Sequence, residues 1–147
     1  MLAFRSLFEH ELLHLLFAVP AAIYIFWRSR NLILVCSIFL FVLAIDADHL
    51  VDFGLWAWSS GSSFWQNPLL ANFGESGKVY VPIHAWEIVG FLLVLAWRLR
   101  KSAVLAFALA LASHLTLDQL SYDTTAESYS IVFRALTDFS SLKFNGL

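Results

Sequence analysis

Four apolar stretches dominate the chain, and none can cross a bilayer without help from ionisable residues. They run from about Leu7 to Trp27, Leu32 to Phe53, Ile83 to Trp97 and Ser102 to Leu120. Their segments free of Asp, Glu, Lys and Arg are shorter: Leu12–Trp27, Asn31–Ile45, Ile88–Trp97 and Ser102–Leu117. A helix needs about 20 residues to span roughly 30 Å of hydrocarbon. Each span must therefore be completed by residues that ionise, which is expensive in lipid and marks function. An ordinary soluble domain does not fit. With 60% hydrophobic and only 14% charged residues in 147, so small a chain has too little charge to cover its surface. The expectation is an all-α polytopic membrane protein, read as one domain over residues 1–147. It has four transmembrane helices in a bundle, a Gly- and Trp-rich outer loop and an interfacial C-terminal helix.

The first stretch reads as a span and not as a cleaved signal. Glu9, His10, Glu11 and His14 sit where a signal peptide has its apolar core. Two tight turns, Arg28-Ser29-Arg30-Asn31 and Arg98-Leu99-Arg100-Lys101, hold five of the nine basic residues and no acidic one. The positive-inside rule places both turns in the cytoplasm. Both termini and the loop from Gly54 to Pro82 then face outward across the plasma (inner) membrane. The outer loop carries Trp56, Trp58, Phe64, Trp65, Phe73 and Tyr80. These form either an aromatic belt at the interface or a lid over a site. In the tail, Val132, Leu136 and Phe139 share a face with Arg134 and Asp138 off it, as in a helix lying on the interface. The single Cys36 excludes an internal disulfide and a Cys-rich zinc site. No basic, aromatic-interleaved surface points to nucleic acid.

All five histidines lie toward the outer end of a span, accompanied by Glu11, Asp46, Asp48, Asp52, Glu87 and Asp118. Helix rise gives their depth. Counted from the basic turns, His14, Asp46, His84 and His114 lie about 21, 24, 21 and 20 Å above the cytoplasmic rim. Spans of alternating direction thus bring their polar residues to one level. Rotation agrees: His10 and His14, His84 and Glu87, and His114 and Asp118 are pairs that share a helix face. Asp48, His49 and Asp52 fall within about 100° of arc, with Asp46 about 60° beyond His49. A bundle with imidazoles and carboxylates turned inward is a way to hold metal. Several carboxylates in low dielectric repel one another, and no Lys or Arg lies at their level. One or two divalent cations resolve that conflict. Mixed imidazole and carboxylate ligands suit zinc first, with manganese and iron as alternatives. The expected ligands are His14, Asp46, Asp48, His49, His84, His114 and Asp118, with Asp46 as ligand or supporting group. Glu11 or Glu87 is the expected general base. A proton path, a structural polar network and haem are the other readings of the same cluster.

At these residues the chain resembles the YdjM-type inner-membrane metal-dependent hydrolases. His14-Leu15-Leu16-Phe17 resembles that family's N-terminal histidine block. Ile45-Asp46-Ala47-Asp48-His49 is similar to its Pro-Asp-x-Asp-His motif, and Ser113-His114-Leu115-Thr116-Leu117-Asp118 to its Ser-His-x-x-x-Asp motif. His84 falls where the family has Thr-His-Ser. The family is similar in ligand pattern to zinc-dependent phospholipases C. The resemblance therefore implies a hydrolase acting on a lipid-linked ester or phosphoester, with a membrane lipid as partner. Two other functions stay open. His10-Glu11-Leu12-Leu13-His14 spells H-E-x-x-H, two imidazoles on one face with a glutamate to activate water, as in an intramembrane metalloprotease. A metal or proton carrier needs a polar path, and the inner halves of the spans are apolar. The sequence assigns neither substrate nor oligomeric state.

Overall fold

A computed structural model describes residues 7–61, 77–122 and 124–144. Phe64, Trp65 and Phe73 of the outer loop lie outside these residues. The described chain is helical: α1 (Leu7–Phe17), α2 (Val19–Ser29), α3 (Leu32–Ile45), α4 (His49–Ser60), α5 (Trp86–Leu99), α6 (Ser102–Tyr122), α7 (Ile131–Leu136) and α8 (Ser141–Phe144). Short 3-10 turns occupy Asp46–Asp48 and Ala126–Tyr129. Among the described residues there is no strand, only an isolated antiparallel bridge between Lys78 and Ser140.

Three segments are long and apolar enough to cross a membrane: Glu9–Ser29, Leu32–Ser60 and Ser102–Tyr122. The first joins α1 and α2 through Ala18, whose N–H bonds to His14 O at 3.0 Å and whose carbonyl accepts from Ala22. Pro20 has no N–H to give, and it sits in the first turn of α2, where that loss costs least. The second passes through the Asp46–Asp48 turn into α4 and ends at Gly61, which takes the left-handed conformation (φ 67°) that a helix C-terminus favours. The two basic turns are built alike. Arg30 and Arg100 each adopt φ 52° beyond a helix end, where a cation meets the negative end of the helix dipole. Asn31 Oδ1 then caps α3 by accepting from the N–H groups of Ile33 and Leu34.

The α6 helix is central and packs on α1, α2, α3 and α5. Ala106 and Ala110 are fully buried with Ala18, Ala22, Ile25, Ile38 and Val42. Small residues let helix backbones approach closely, which is how helices adhere in lipid. Ala110→Leu is therefore expected to overpack this contact and cost about 1–3 kcal/mol, read as a lower melting temperature in detergent. A second apolar cluster joins Ile45, Val89, Leu111 and Leu115 to Val79, Val81 and Tyr129. Large apolar side chains cover the outside, among them Ile23, Ile33, Leu40 and Phe91. Trp27 and Trp97 stand exposed beside the basic turns, where indole rings favour a membrane interface.

Three expectations change here. The helix of the second stretch runs on to Ser60, so Gly54, Trp56 and Trp58, expected in the loop after it, lie on α4. The stretch from Val79 to Ala85 is not helical, so His84 precedes α5 instead of lying on it. The tail is not one helix either. Asp138 (φ 53°) and Phe139 (φ 55°) are left-handed and break it after α7. The broken tail folds back, with Val79 N–H donating to Phe139 O and Ser141 N–H to Gly77 O. Arg134, placed on the polar side of an interfacial helix by spacing alone, is instead 2% exposed.

Candidate metal centre

The cluster forms where α1, the Asp46–Asp48 turn, the segment before α5 and the C-terminal third of α6 meet. Every histidine turns its Nε2 inward. Asp46 Oδ1 lies 3.3 Å from His49 Nε2, 3.3 Å from His84 Nε2 and 3.2 Å from His114 Nε2. Asp118 Oδ2 lies 3.3 Å from His114 Nε2 and 3.5 Å from His84 Nε2. His84 Nε2 and His114 Nε2 are 3.1 Å apart. Asp118 Oδ1 faces His14 Nε2 at 3.1 Å and His10 Nε2 at 3.6 Å. His14 and His114 are fully buried, and their rings stack with centroids 3.8 Å apart.

The other ring nitrogens fix the tautomers. His114 Nδ1 is 3.1 Å from the Val42 carbonyl, which only accepts. His84 Nδ1 is 3.0 Å from the Asp48 carboxylate. Both Nδ1 atoms therefore carry hydrogen and donate, and with the rings neutral each presents an Nε2 lone pair inward. In that state His84 Nε2 and His114 Nε2 join Asp46 Oδ1 and Asp118 Oδ2 as acceptors turned toward one another. A cation is what such a set accommodates. A tetrahedral ion with ligands at about 2.0–2.1 Å holds them about 3.3 Å apart, close to the separations found. Buried His and Asp groups here can hold a metal ion, in overlapping sets drawn from His10, His14, Asp46, His49, His84, His114 and Asp118.

The structure brings together six of the seven expected ligands and leaves out Asp48. Its Oδ2 accepts from His84 Nδ1 and from the Ile83 N–H, 2.8 Å away. Two residues apart, the aspartates point to different sides of the turn, Asp46 inward and Asp48 toward the neighbouring segment. Of the two expected bases, Glu11 lies against Asp46, with Oε2 buried and without a hydrogen bond. Glu87 does not join the cluster. Its carboxylate faces α7, accepting from Ser130 Oγ and from the N–H groups of Ile131 (3.1 Å) and Val132 (3.3 Å). With α5 starting only at Trp86, the helical pairing of His84 with Glu87 has no basis.

Sequence reasoning missed the clamp that carries His84. Asp52 accepts from the N–H groups of Tyr80 (2.6 Å) and Val81 (2.9 Å). From the opposite side, Arg134 donates to the carbonyls of Tyr80, Val81 and His84. Irregular backbone among apolar helices is tolerated only when its polar groups are satisfied within the protein, and here two side chains do most of that. Val81 is β-branched at φ 27°, a strained state that survives only where the surroundings hold it. Burial lowers the pKa of the Arg134 guanidinium, and the nearby Asp48, Glu87 and Asp52 carboxylates oppose that fall. Pro82 was the available signal for this segment, since a residue before proline is steered away from helix. No family model, curated protein or solved structure matches the chain.

Proposed function

We propose that the protein is a membrane-embedded metal-dependent hydrolase acting on a lipid-linked ester or phosphoester at the outer interface of the plasma membrane. The observation that carries this reading is the convergence of His84 Nε2, His114 Nε2, Asp46 Oδ1 and Asp118 Oδ2, each carboxylate oxygen 3.2–3.5 Å from both imidazole nitrogens. Zinc is the first choice of ion, with manganese or iron next. Such an ion supplies Lewis acidity and lowers the pKa of water. His84 and His114 are oriented for ligation by Asp48 and the Val42 carbonyl, the support that ligating histidines require. Glu11, at the rim beside Asp46, is placed to take a proton from water and return it to the leaving group. Asp46 and His49 side chains are about a fifth exposed, against 2% or less for His84 and His114, so a substrate approaches from their side. In this reading α5, 14 residues long, completes a fourth crossing together with the segment before it. The basic turns face the cytoplasm and both termini lie outside.

Metal content of detergent-purified, untagged protein tests the reading. One or two equivalents of a transition metal are expected, and the His114→Ala, Asp118→Ala double variant should lose them. Absence of metal after zinc or manganese is added back overturns the proposal. A second reading, an intramembrane metalloprotease, has one observation in its favour: His10, His14 and Asp118 group together within the H-E-x-x-H context. Cleavage of a membrane-spanning peptide that is lost in Glu11→Gln, with no lipid hydrolysis, would favour it.

A further inference from the structure

We propose that the substrate enters sideways from the bilayer, between α1 and α4, and that the bond cut is the carboxylic ester joining an acyl chain to its head group, not the phosphoester beyond it. This rests on the hydrolase reading above and narrows its substrate. Depth is the first argument. Between the basic turn and Asp46, α3 supplies 14 residues, about 21 Å of rise. In about 30 Å of hydrocarbon, the cluster then sits about 9 Å beneath the opposite boundary. The α4 helix carries the segment on for another 12 residues, about 18 Å. Its exposed side chains Leu50, Val51, Leu55 and Trp58 are apolar, and its one carboxylate, Asp52, is turned in and 4% exposed. Trp58, 89% exposed, stands about 13 Å along the helix from His49. An indole there marks the interface, as Trp27 and Trp97 do at the basic turns. The acyl ester is the linkage at the edge of the hydrocarbon, and the phosphoester lies farther out in the head-group layer. A site beneath that edge is nearer the ester.

The mouth of the site gives a second argument. The groups that keep some exposure are Glu11 on α1, Asp46 on the turn and His49 at the start of α4. Among the described residues, α1 packs on α2, α3 and α6, and α4 on the Asp46–Asp48 turn, with no extensive packing of α1 on α4. The opening between them is bordered by Leu12, Ala47 and Leu50, all exposed. Toward the basic turns the border stays apolar. Leu16 lies one turn along α1 from Leu12, and Leu40 and Leu43 lead up α3 to Ala47. An acyl chain laid on this surface brings its ester to the mouth and leaves its head group toward the level of Trp58. A phosphate would have to descend past the apolar border, away from water. In the reaction, water adds to the acyl carbon and gives a proton to Glu11. The C–O bond to the head group breaks, and the departing alcohol oxygen takes that proton. A fatty acid and an alcohol are released.

The test uses the full-length protein, loaded with zinc and reconstituted in vesicles of palmitoyl-oleoyl phosphatidylethanolamine and phosphatidylglycerol, with products read by mass spectrometry. Fatty acid and lysolipid are expected. Diacylglycerol with a released phosphorylated head group overturns the ester and keeps the hydrolase. Neither product from metal-loaded protein overturns the ester too. Ala47→Trp and Leu50→Trp, at the mouth, should each cut fatty-acid release by about 100-fold through misplacing the bond, with metal content unchanged. Ile23→Trp, on the exposed side of α2, should leave release unchanged. Equal release from all three variants overturns lateral entry. Depth is read without activity. Spin labels at Ala47→Cys and Leu50→Cys, each in Cys36→Ala, should relax more with oxygen than with a water-soluble nickel chelate. Preference for the chelate at both positions puts the mouth in water and overturns the proposal. Protein that takes up no metal removes the proposed function itself, and this inference with it.

Discussion

Arg134→Ala is expected to cost about 3–5 kcal/mol of stability, the range found when one partner of a buried ionic network is removed. The loss has two parts. Three backbone carbonyls, of Tyr80, Val81 and His84, are left without their donor, and each buried unsatisfied group costs about 1–3 kcal/mol. The carboxylates of Asp48 and Asp52 also lose their nearest buried cation. Lysine should rescue little, because a single ammonium cannot reproduce a planar fork that reaches three carbonyls. Thermal unfolding in one detergent checks this. A variant that melts with the wild type would show that the clamp contributes nothing.

Asp48→Ala is expected to weaken metal binding by about 10–100-fold without changing the number of ions bound, the usual effect of removing the partner that orients a ligating histidine. The carboxylate fixes the His84 tautomer by accepting a hydrogen bond from its Nδ1–H, and it accepts from the Ile83 N–H beside it. Asp48→Asn keeps one accepting oxygen and should fall between. Competition with a chromophoric chelator measures the shift. Loss of a full equivalent would instead make Asp48 a ligand, as its spacing from His49 first indicates.

The level of the polar cluster was legible in the sequence because α1, α3 and α6 are regular. Counting back from the basic turns at a fixed rise per residue places His14, Asp46 and His114 together, and that is where they meet. Pairs within one uninterrupted helix were legible too: His10 with His14, and His114 with Asp118. What failed was the choice between faces. Asp46 and Asp48 lie two residues apart and point to different sides under either helical rotation, and spacing alone did not say which of them met the other spans. His84 and Glu87 part company because α5 begins between them. Arg134 was hidden for a different reason. Its burial depends on a tail that folds back through two left-handed residues, Asp138 and Phe139, neither of which is a glycine that would announce the break.

The clamp around His84 also sets an order of events in time. Asp52 lies 28 residues before Tyr80, and Arg134 lies 54 residues after it. A chain emerging from its N-terminus has His14, Asp46 and His84 in hand well before Arg134 exists. Until then the carbonyls of the strained Val81 segment have no donor on that side, and closing so long a loop carries its own entropy cost. His84 is therefore held from that side only after α7 has been made and the tail has folded back. A defect in the tail would surface far away in the chain, in the position of His84.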